Sequence, residues 1–108
     1  MQKQSQFTAT GASAVVELGF VPDRLIIKNR TSLAEIEWNA NLDAGYYYKR
    51  VAAGTLTLET SGGPTLIDGS DKTNNLDKSF GVVLPAIVDI NDTASEILDI
   101  TAIKDDDV

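Results

Sequence analysis

Apolar residues that alternate with polar ones recur along the chain, and the clearest pattern lies in residues 24–39. Leu25 and Ile27 fall on one face of residues 24–29, and Ile36 and Trp38 fall on one face of residues 34–39. A period of two residues is typical of a strand with one buried face, so these side chains are expected to point inward. The polar residues 29–32 between the two runs predict a turn. Residues 24–39 are therefore predicted to form a β-hairpin.

Weaker forms of the same pattern occur on both sides of this hairpin. Residues 7–10 and 14–18 flank the small residues Gly11-Ala12-Ser13 and predict a first hairpin. Residues 55–60 predict a strand with Leu56 and Leu58 pointing inward. After the turn Ser61-Gly62-Gly63-Pro64, residues 65–67 predict a short strand.

The last third of the chain holds two apolar, β-branched runs, residues 80–90 and 97–103, separated by the polar residues 91–96. Short apolar runs bounded by turn residues favour paired strands over a helix, so a closing hairpin is predicted. We expect six of its residues to supply core or intersubunit packing: Val83, Ile87, Val88, Leu98, Ile100 and Ala102.

Short strands separated by Gly- and Pro-containing turns are typical of sandwiches and barrels. Residues 41–44 allow a short helical turn at most, and the polar residues 70–78 predict an exposed loop. Residues 1–6 predict a flexible N-terminal arm, and residues 105–108 an acidic tail. A chain of 108 residues has the length of one domain. These patterns predict a single all-β domain, an antiparallel sandwich or barrel.

The composition of the chain argues against several classes of partner and of chemistry. Sixteen acidic residues against nine basic ones give a net charge of −7, whereas nucleic-acid and anionic-membrane partners require clustered Lys and Arg. Without Cys or His, the chain lacks thiolate ligands, the commonest general base and the commonest transition-metal ligand. The N-terminus has no apolar signal-peptide core, and no apolar run is long enough to span a bilayer. We expect a protein that is not an enzyme, takes no cofactor and is made in a cytoplasm.

Two clusters of oxygen-bearing side chains raise a calcium or acid–base hypothesis. The first cluster is Asp89, Asn91, Asp92 and Glu96, and the second is Asp68, Ser70, Asp71 and Asn74. Calcium prefers such ligands, but neither cluster has the spacing of the twelve-residue calcium loop. Turns require the same residue types for backbone hydrogen bonds. We interpret both clusters as turns and predict no metal site, with a glycosidase-like carboxylate pair as a weaker alternative.

Three successive tyrosines, Tyr46, Tyr47 and Tyr48, precede Lys49 and Arg50. In a strand they cannot all face one core, so at least one is expected to point outward. An ordinary amphipathic strand would give this pattern, and so would an interface, where exposed Tyr and Arg are frequent. We favour the interface, because small domains often gain stability by oligomerising.

Short segments spread over residues 18–104 resemble the small structural proteins of tailed phages. The closest likeness is to capsid decoration, or cement, proteins of jelly-roll or related β-sandwich type. The residues that carry the resemblance are Leu18-Gly19-Phe20-Val21-Pro22, Leu25-Ile26-Ile27-Lys28-Asn29, Ile36-Glu37-Trp38-Asn39, Ser61-Gly62-Gly63, Asp68-Gly69, Phe80-Gly81-Val82-Val83-Leu84 and Ile100-Thr101-Ala102-Ile103-Lys104.

The resemblance implies an antiparallel β-sandwich of jelly-roll-like type that forms a homotrimer on the capsid surface of a virion. There it binds the major capsid protein and reinforces the shell, and it has no catalytic residue. The acidic charge adds the expectation of no nucleic-acid and no membrane partner. Two surfaces are expected to make the contacts. They are the arm, with Met1, Gln2, Lys3, Gln4 and Phe7, and the segment with Tyr46, Tyr47, Tyr48 and Arg50. The alternatives are a tail or head-fibre module of a virion and a carbohydrate-binding module with Trp38 or the tyrosines as its aromatic platform.

Overall fold

The computed structural model describes residues 2–67 and 80–104, which form strands and turns without any helix. In chain order the strands of these residues are β1 (Gln2–Thr8), β2 (Ala14–Glu17), β3 (Arg24–Asn29), β4 (Glu35–Asn39), β5 (Tyr47–Arg50), β6 (Leu56–Glu59), β7 (Thr65–Ile67), β8 (Gly81–Leu84) and β9 (Ile97–Ile103). The predicted loop of residues 70–78 and the acidic tail of residues 105–108 lie outside the described residues.

The strands form two antiparallel sheets that share one core. One sheet has six strands in the order β1-β9-β3-β4-β5-β6, and the other has three in the order β2-β8-β7. Buried side chains of both sheets make a single apolar cluster, including Leu25, Ile36 and Leu98 from the larger sheet and Val82 and Leu84 from the smaller one. The predicted all-β antiparallel sandwich is confirmed. We call the core-facing side of the six-stranded sheet its inner face and the opposite side its outer face.

The hairpin predicted for residues 24–39 is confirmed. β3 pairs with β4, with Leu25 opposite Trp38 and Ile27 opposite Ile36, and all four side chains are buried. The side-chain oxygen of Asn29 accepts hydrogen bonds from backbone N–H groups in the turn that follows β3. The alternating pattern of the two strands and the turn between them therefore specify the β3–β4 hairpin.

The other two predicted hairpins are wrong, although their strands exist. β1 pairs with β9 and β2 pairs with β8, so each predicted hairpin places its two strands in different sheets. Alternation identifies a strand without choosing its partner, and both connections cross from one sheet to the other. Val88, expected to supply core or intersubunit packing, is 62% exposed in the connection between β8 and β9 and is therefore not a core residue.

The predicted N-terminal arm is also corrected. β1 pairs with β9 along its whole length, from Gln2 opposite Ile103 to Thr8 opposite Ile97. Its side chains are mostly exposed because β1 is an edge strand, so its polar composition resembles that of an unstructured segment. Met1 lies outside the described residues.

Gly81 allows the close packing of β8 against β2. A Cβ atom at this position would collide with the carbonyl oxygen of Val16 and lie 3.0 Å from the backbone nitrogen of Leu18. Only glycine permits so close a backbone approach. The backbone nitrogens of Leu18 and Gly19 then both donate to the Phe80 carbonyl oxygen, at 2.9 and 3.0 Å.

Candidate docking face

The register of β4, β5 and β6 brings six side chains together on the outer face of the six-stranded sheet. Tyr48 lies between Glu37 of β4 and Leu58 of β6. In the neighbouring row, Arg50 lies between Glu35 and Leu56. Directly opposed residues of antiparallel strands have Cβ atoms about 5 Å apart, so each row is in contact range. We call this surface the docking face: Glu35, Glu37, Tyr48, Arg50, Leu56 and Leu58.

The apolar part of the docking face is open to solvent. Leu56 is 53% exposed, Leu58 is 44% exposed and Tyr48 is half-buried. The strand predicted around Leu56 and Leu58 exists as β6, but the prediction that both leucines point inward is wrong. Leu58 pairs with Tyr48 on the outer face, so the inward positions of β6 are taken by Thr57 and Glu59.

A shallow groove runs across the docking face. Its volume is about 240 Å³, and it is lined by five of the six docking-face residues, all except Leu58. Its lining is mixed: Tyr48 and Leu56 supply apolar surface, and Glu35, Glu37 and Arg50 supply charged groups. Such a surface offers both apolar contact and oriented hydrogen-bonding groups.

Ion pairs hold the charged side chains of this region in place. Glu37 lies 3.4 Å from the Arg24 guanidinium, while Glu35 lies 3.6 Å from the Arg50 guanidinium and 4.0 Å from the Lys28 ammonium. Exposed pairs of this kind add little stability, so their main effect is to orient the side chains. The docking face holds two carboxylates and one cation, and Arg24 and Lys28 of the adjacent β3 bring two more cations to it. Together with these neighbours, the face lacks the excess negative charge of the whole chain.

Tyr47 supports the face from the core side. It is 6% exposed, belongs to the apolar cluster and lies opposite Glu59 of β6. Burial, and then the negative charge of Glu59, raise the pKa of the Tyr47 phenol above its ordinary value. Tyr47 is thus a core residue rather than a surface contact. Of the neighbouring predicted residues, Tyr46 and Tyr48 are half-buried and Arg50 is exposed.

The contacts predicted at the N-terminus form no common site with the tyrosine segment. Gln2, Lys3 and Gln4 are exposed on β1, whereas Phe7 is half-buried and packs against the core. Strands β9, β3 and β4 separate β1 from β5. At a strand spacing of about 4.8 Å, this places the two segments roughly 19 Å apart.

The acidic cluster near β9 is used in turns. The Asn91 side-chain oxygen accepts the Ile87 N–H at 2.8 Å, and an Asp92 oxygen accepts the Asp89 N–H at 3.1 Å. A Glu96 oxygen accepts a hydrogen bond from the Asn29 side chain at 2.9 Å. No group of three acidic side chains placed to hold a metal occurs among residues 2–67 and 80–104. The second predicted cluster, which begins at Asp68, lies outside the described residues.

A second depression lies at the end of the sandwich near Trp38. It has a volume of about 430 Å³ and is lined by residues that include Trp38, Leu42, Asp43, Pro64 and Leu66. The Trp38 side chain is 7% exposed and belongs to the core. It does not offer the open aromatic surface that the carbohydrate-binding alternative requires.

Sequence reasoning placed Tyr48 and Arg50 in a contact surface and directed Glu35 and Glu37 outward, toward solvent or a partner, but it missed Leu56 and Leu58. The two leucines alternate like core residues, and only the pairing of β6 with β5 reveals their outward direction. The run Leu-Thr-Leu-Glu contains no signal that distinguishes an inward from an outward pair of leucines.

Comparisons with family models, with curated proteins and with solved structures gave no match to this chain. Across the part of the chain that the structure describes, no helix has the length and apolar character needed to cross a membrane.

Proposed function

We propose that this protein is a structural virion component that decorates a phage capsid, binding the outer surface of the major capsid protein through the docking face. The observation that carries the proposal is the juxtaposition of exposed Leu56 and Leu58 with Tyr48 and Arg50. Apolar groups rimmed by polar ones are typical of protein interaction sites, and Tyr and Arg often dominate their binding energy. The resemblance of the sequence to decoration proteins supplies the class of partner.

The charge distribution supports a protein partner at this face. The chain has a net charge of −7, but the cations and carboxylates around Tyr48 nearly balance. A partner surface therefore meets little electrostatic repulsion there, while the remaining acidic surface disfavours other orientations. Tyr47, fixed in the core below, keeps the backbone of β5 rigid and lowers the entropy lost on binding.

Cosedimentation with empty, expanded capsids tests this proposal. If the proposal holds, the genome that carries this chain also encodes a major capsid protein, and the capsids are assembled from that protein. The wild-type protein should pellet with the capsids and raise the temperature at which the capsids dissociate. Tyr48→Ala should weaken binding by about tenfold or more, because it removes the central aromatic contact. Gln4→Ala, on the outer face of β1, is the matched control and should bind like the wild type. Failure of the wild type to bind, or full binding by Tyr48→Ala, would contradict the proposal.

A further inference from the structure

β6 ends the six-stranded sheet, and among the strands that the structure describes none pairs with its outer edge. Three of its four side chains are exposed and the fourth is half-buried. A free edge with outward apolar side chains is a template for pairing with another chain. Natural edges that avoid pairing often carry Lys, Pro or an inward-pointing charge. β6 has no Lys or Pro, and its one charged residue, Glu59, stands at its last position, beyond the exposed Leu56 and Leu58.

The hairpin between β5 and β6 shows which backbone groups face that edge. The Val51 nitrogen donates to the Thr55 carbonyl oxygen at 3.2 Å, so these two residues form a hydrogen-bonded pair. Such pairs alternate along antiparallel strands, so Thr57 also directs its backbone groups toward β5. Leu56 and Leu58 must then direct their N–H and C=O groups away from β5, toward the free edge.

We propose that β6 pairs antiparallel with β6 of a second copy of this chain, about a twofold axis through Thr57. In this register Thr57 lies opposite Thr57 of the second copy, and Leu56 lies opposite Leu58 of the second copy. The outward backbone groups of the leucines then form reciprocal hydrogen bonds on both sides of the axis. Interfaces between two identical chains are commonly self-complementary in this way.

The side chains fit the same register. The leucines of the two copies meet on the outer face, where each row is extended by Tyr48 or Arg50. Glu59 lies opposite Thr55 of the second copy, so no two like charges face each other. The other edge of the sheet, β1, offers Gln2, Gln4 and Gln6 in place of leucines and gains less from being paired.

This pairing changes the geometry of the docking face. The two sheets become continuous, and two docking faces lie side by side on one surface. Binding of the first face would raise the effective concentration of the second at a partner with repeated subunits. The arrangement is a dimer, whereas the resemblance to decoration proteins implies a homotrimer, so the mass in solution separates the two. The pairing does not depend on the proposed capsid partner.

Light scattering on the purified full chain, over a concentration series, tests the oligomeric state. The wild type should show the mass of two chains, twice the 11.6 kDa of one. Replacing both leucines with lysine (Leu56→Lys with Leu58→Lys) should reduce the mass to one chain, because charged side chains block edge pairing. The control carries the same change on the other edge, at Gln2 and Gln4, and should keep the mass of two chains. A wild-type mass of one or three chains, or of larger assemblies, would overturn the proposal.

Disulfide trapping gives a second test that adds no charge. The chain has no cysteine, so Thr57→Cys introduces a unique thiol at the proposed axis. Opposed residues at a non-hydrogen-bonded position have Cα atoms about 4.5 Å apart, within the range that a disulfide spans. Under mild oxidation this variant should form a covalent dimer much faster than Ser5→Cys, its control at the centre of β1. Equal rates for the two variants would refute pairing at β6.

Discussion

Asn29 shows how one buried polar side chain can join two separate parts of a small β domain. It is 1% exposed, and its side-chain nitrogen donates to the Ile90 carbonyl oxygen at 2.7 Å and to Glu96 at 2.9 Å. Its side-chain oxygen accepts the N–H groups of Thr31 and Ser32 at 2.7 and 2.9 Å. The β3–β4 turn is thereby fixed to the connection between β8 and β9.

Replacing Asn29 with alanine should destabilise the protein by about 3 kcal/mol, because several buried or half-buried groups lose their partner at once. Urea unfolding followed by Trp38 fluorescence measures this loss. Asn39→Ala is the matched control, since the Asn39 side-chain oxygen accepts one exposed hydrogen bond, from the Asn41 N–H at 3.0 Å. The control should cost less than about 1 kcal/mol. Equal effects for the two variants would show that the Asn29 network is not a main source of stability.

The exposed pair of Arg30 and Asp99 predicts a pH dependence of stability. The guanidinium donates two hydrogen bonds of 2.8 Å to the carboxylate. The hydrogen bond from Arg30, aided by the charges of Arg30 and Lys28, lowers the pKa of Asp99 below its ordinary value. The pair therefore stabilises the fold above the ordinary carboxyl pKa, and this contribution is lost as the pH falls through the lowered pKa of the folded protein.

The difference in unfolding free energy between the wild type and Asp99→Asn should be constant near neutral pH. It should shrink only below about pH 4, where the carboxyl group of the unfolded chain begins to protonate. Asp43→Asn is the comparison, because the structure gives the Asp43 side chain no ion pair or hydrogen bond with any described residue. A difference for Asp99→Asn that stays constant down to pH 2 would rule out the pair as its source.

At the scale of elements, the sequence predicted the units whose information is local. β3 and β4 alternate clearly and are joined by a short polar turn, so their pairing follows from residues 24–39 alone. The pairings of β1 with β9 and of β2 with β8 join segments far apart in sequence. No local pattern encodes such a pairing. The sequence therefore identified these strands but not the strands with which they pair.

The lack of long-range information in a local pattern also explains why part of the docking face was not predicted. Alternation divides a strand into two faces without saying which one is buried. Leu25 and Ile27 of β3 are fully buried, whereas Leu56 and Leu58 of β6 are exposed, although both pairs are aliphatic and two residues apart. The position of each strand in the sheet decides the difference, and β6 lies at the edge. The run of three tyrosines before Arg50 predicted a contact surface at half-buried Tyr48 and exposed Arg50, but no pattern predicted their leucine neighbours.

At the scale of the whole molecule, the unequal sizes of the two sheets organise the surface. Among the described residues, three strands lie against the inner face of six. Most inward positions of the two edge strands are polar: Lys3 and Ser5, but not Phe7, on β1, and Thr57 and Glu59 on β6. The core is concentrated under the central strands β9, β3 and β4. β1 is therefore held by backbone hydrogen bonds and by Phe7. β6 is held by backbone hydrogen bonds and by the contacts of its leucines with Tyr48 and Arg50, and its inward side chains contribute little apolar contact.

Removal of residues 1–6 tests this view, because it takes away most of β1 while leaving the half-buried Phe7 in place. If β1 is an integral strand, the truncated protein should lose roughly 2–4 kcal/mol of stability, since several backbone hydrogen bonds to β9 are broken and each contributes about 1 kcal/mol. Chemical denaturation measures the loss, and Gln4→Ala should stay within about 0.5 kcal/mol of the wild type. An unchanged denaturation midpoint would instead support a flexible arm. Because the truncation is expected to destabilise the fold, a loss of capsid binding by the truncated protein would not show that residues 1–6 contact the capsid. A loss of binding by the stable variant Gln4→Ala would show such a contact.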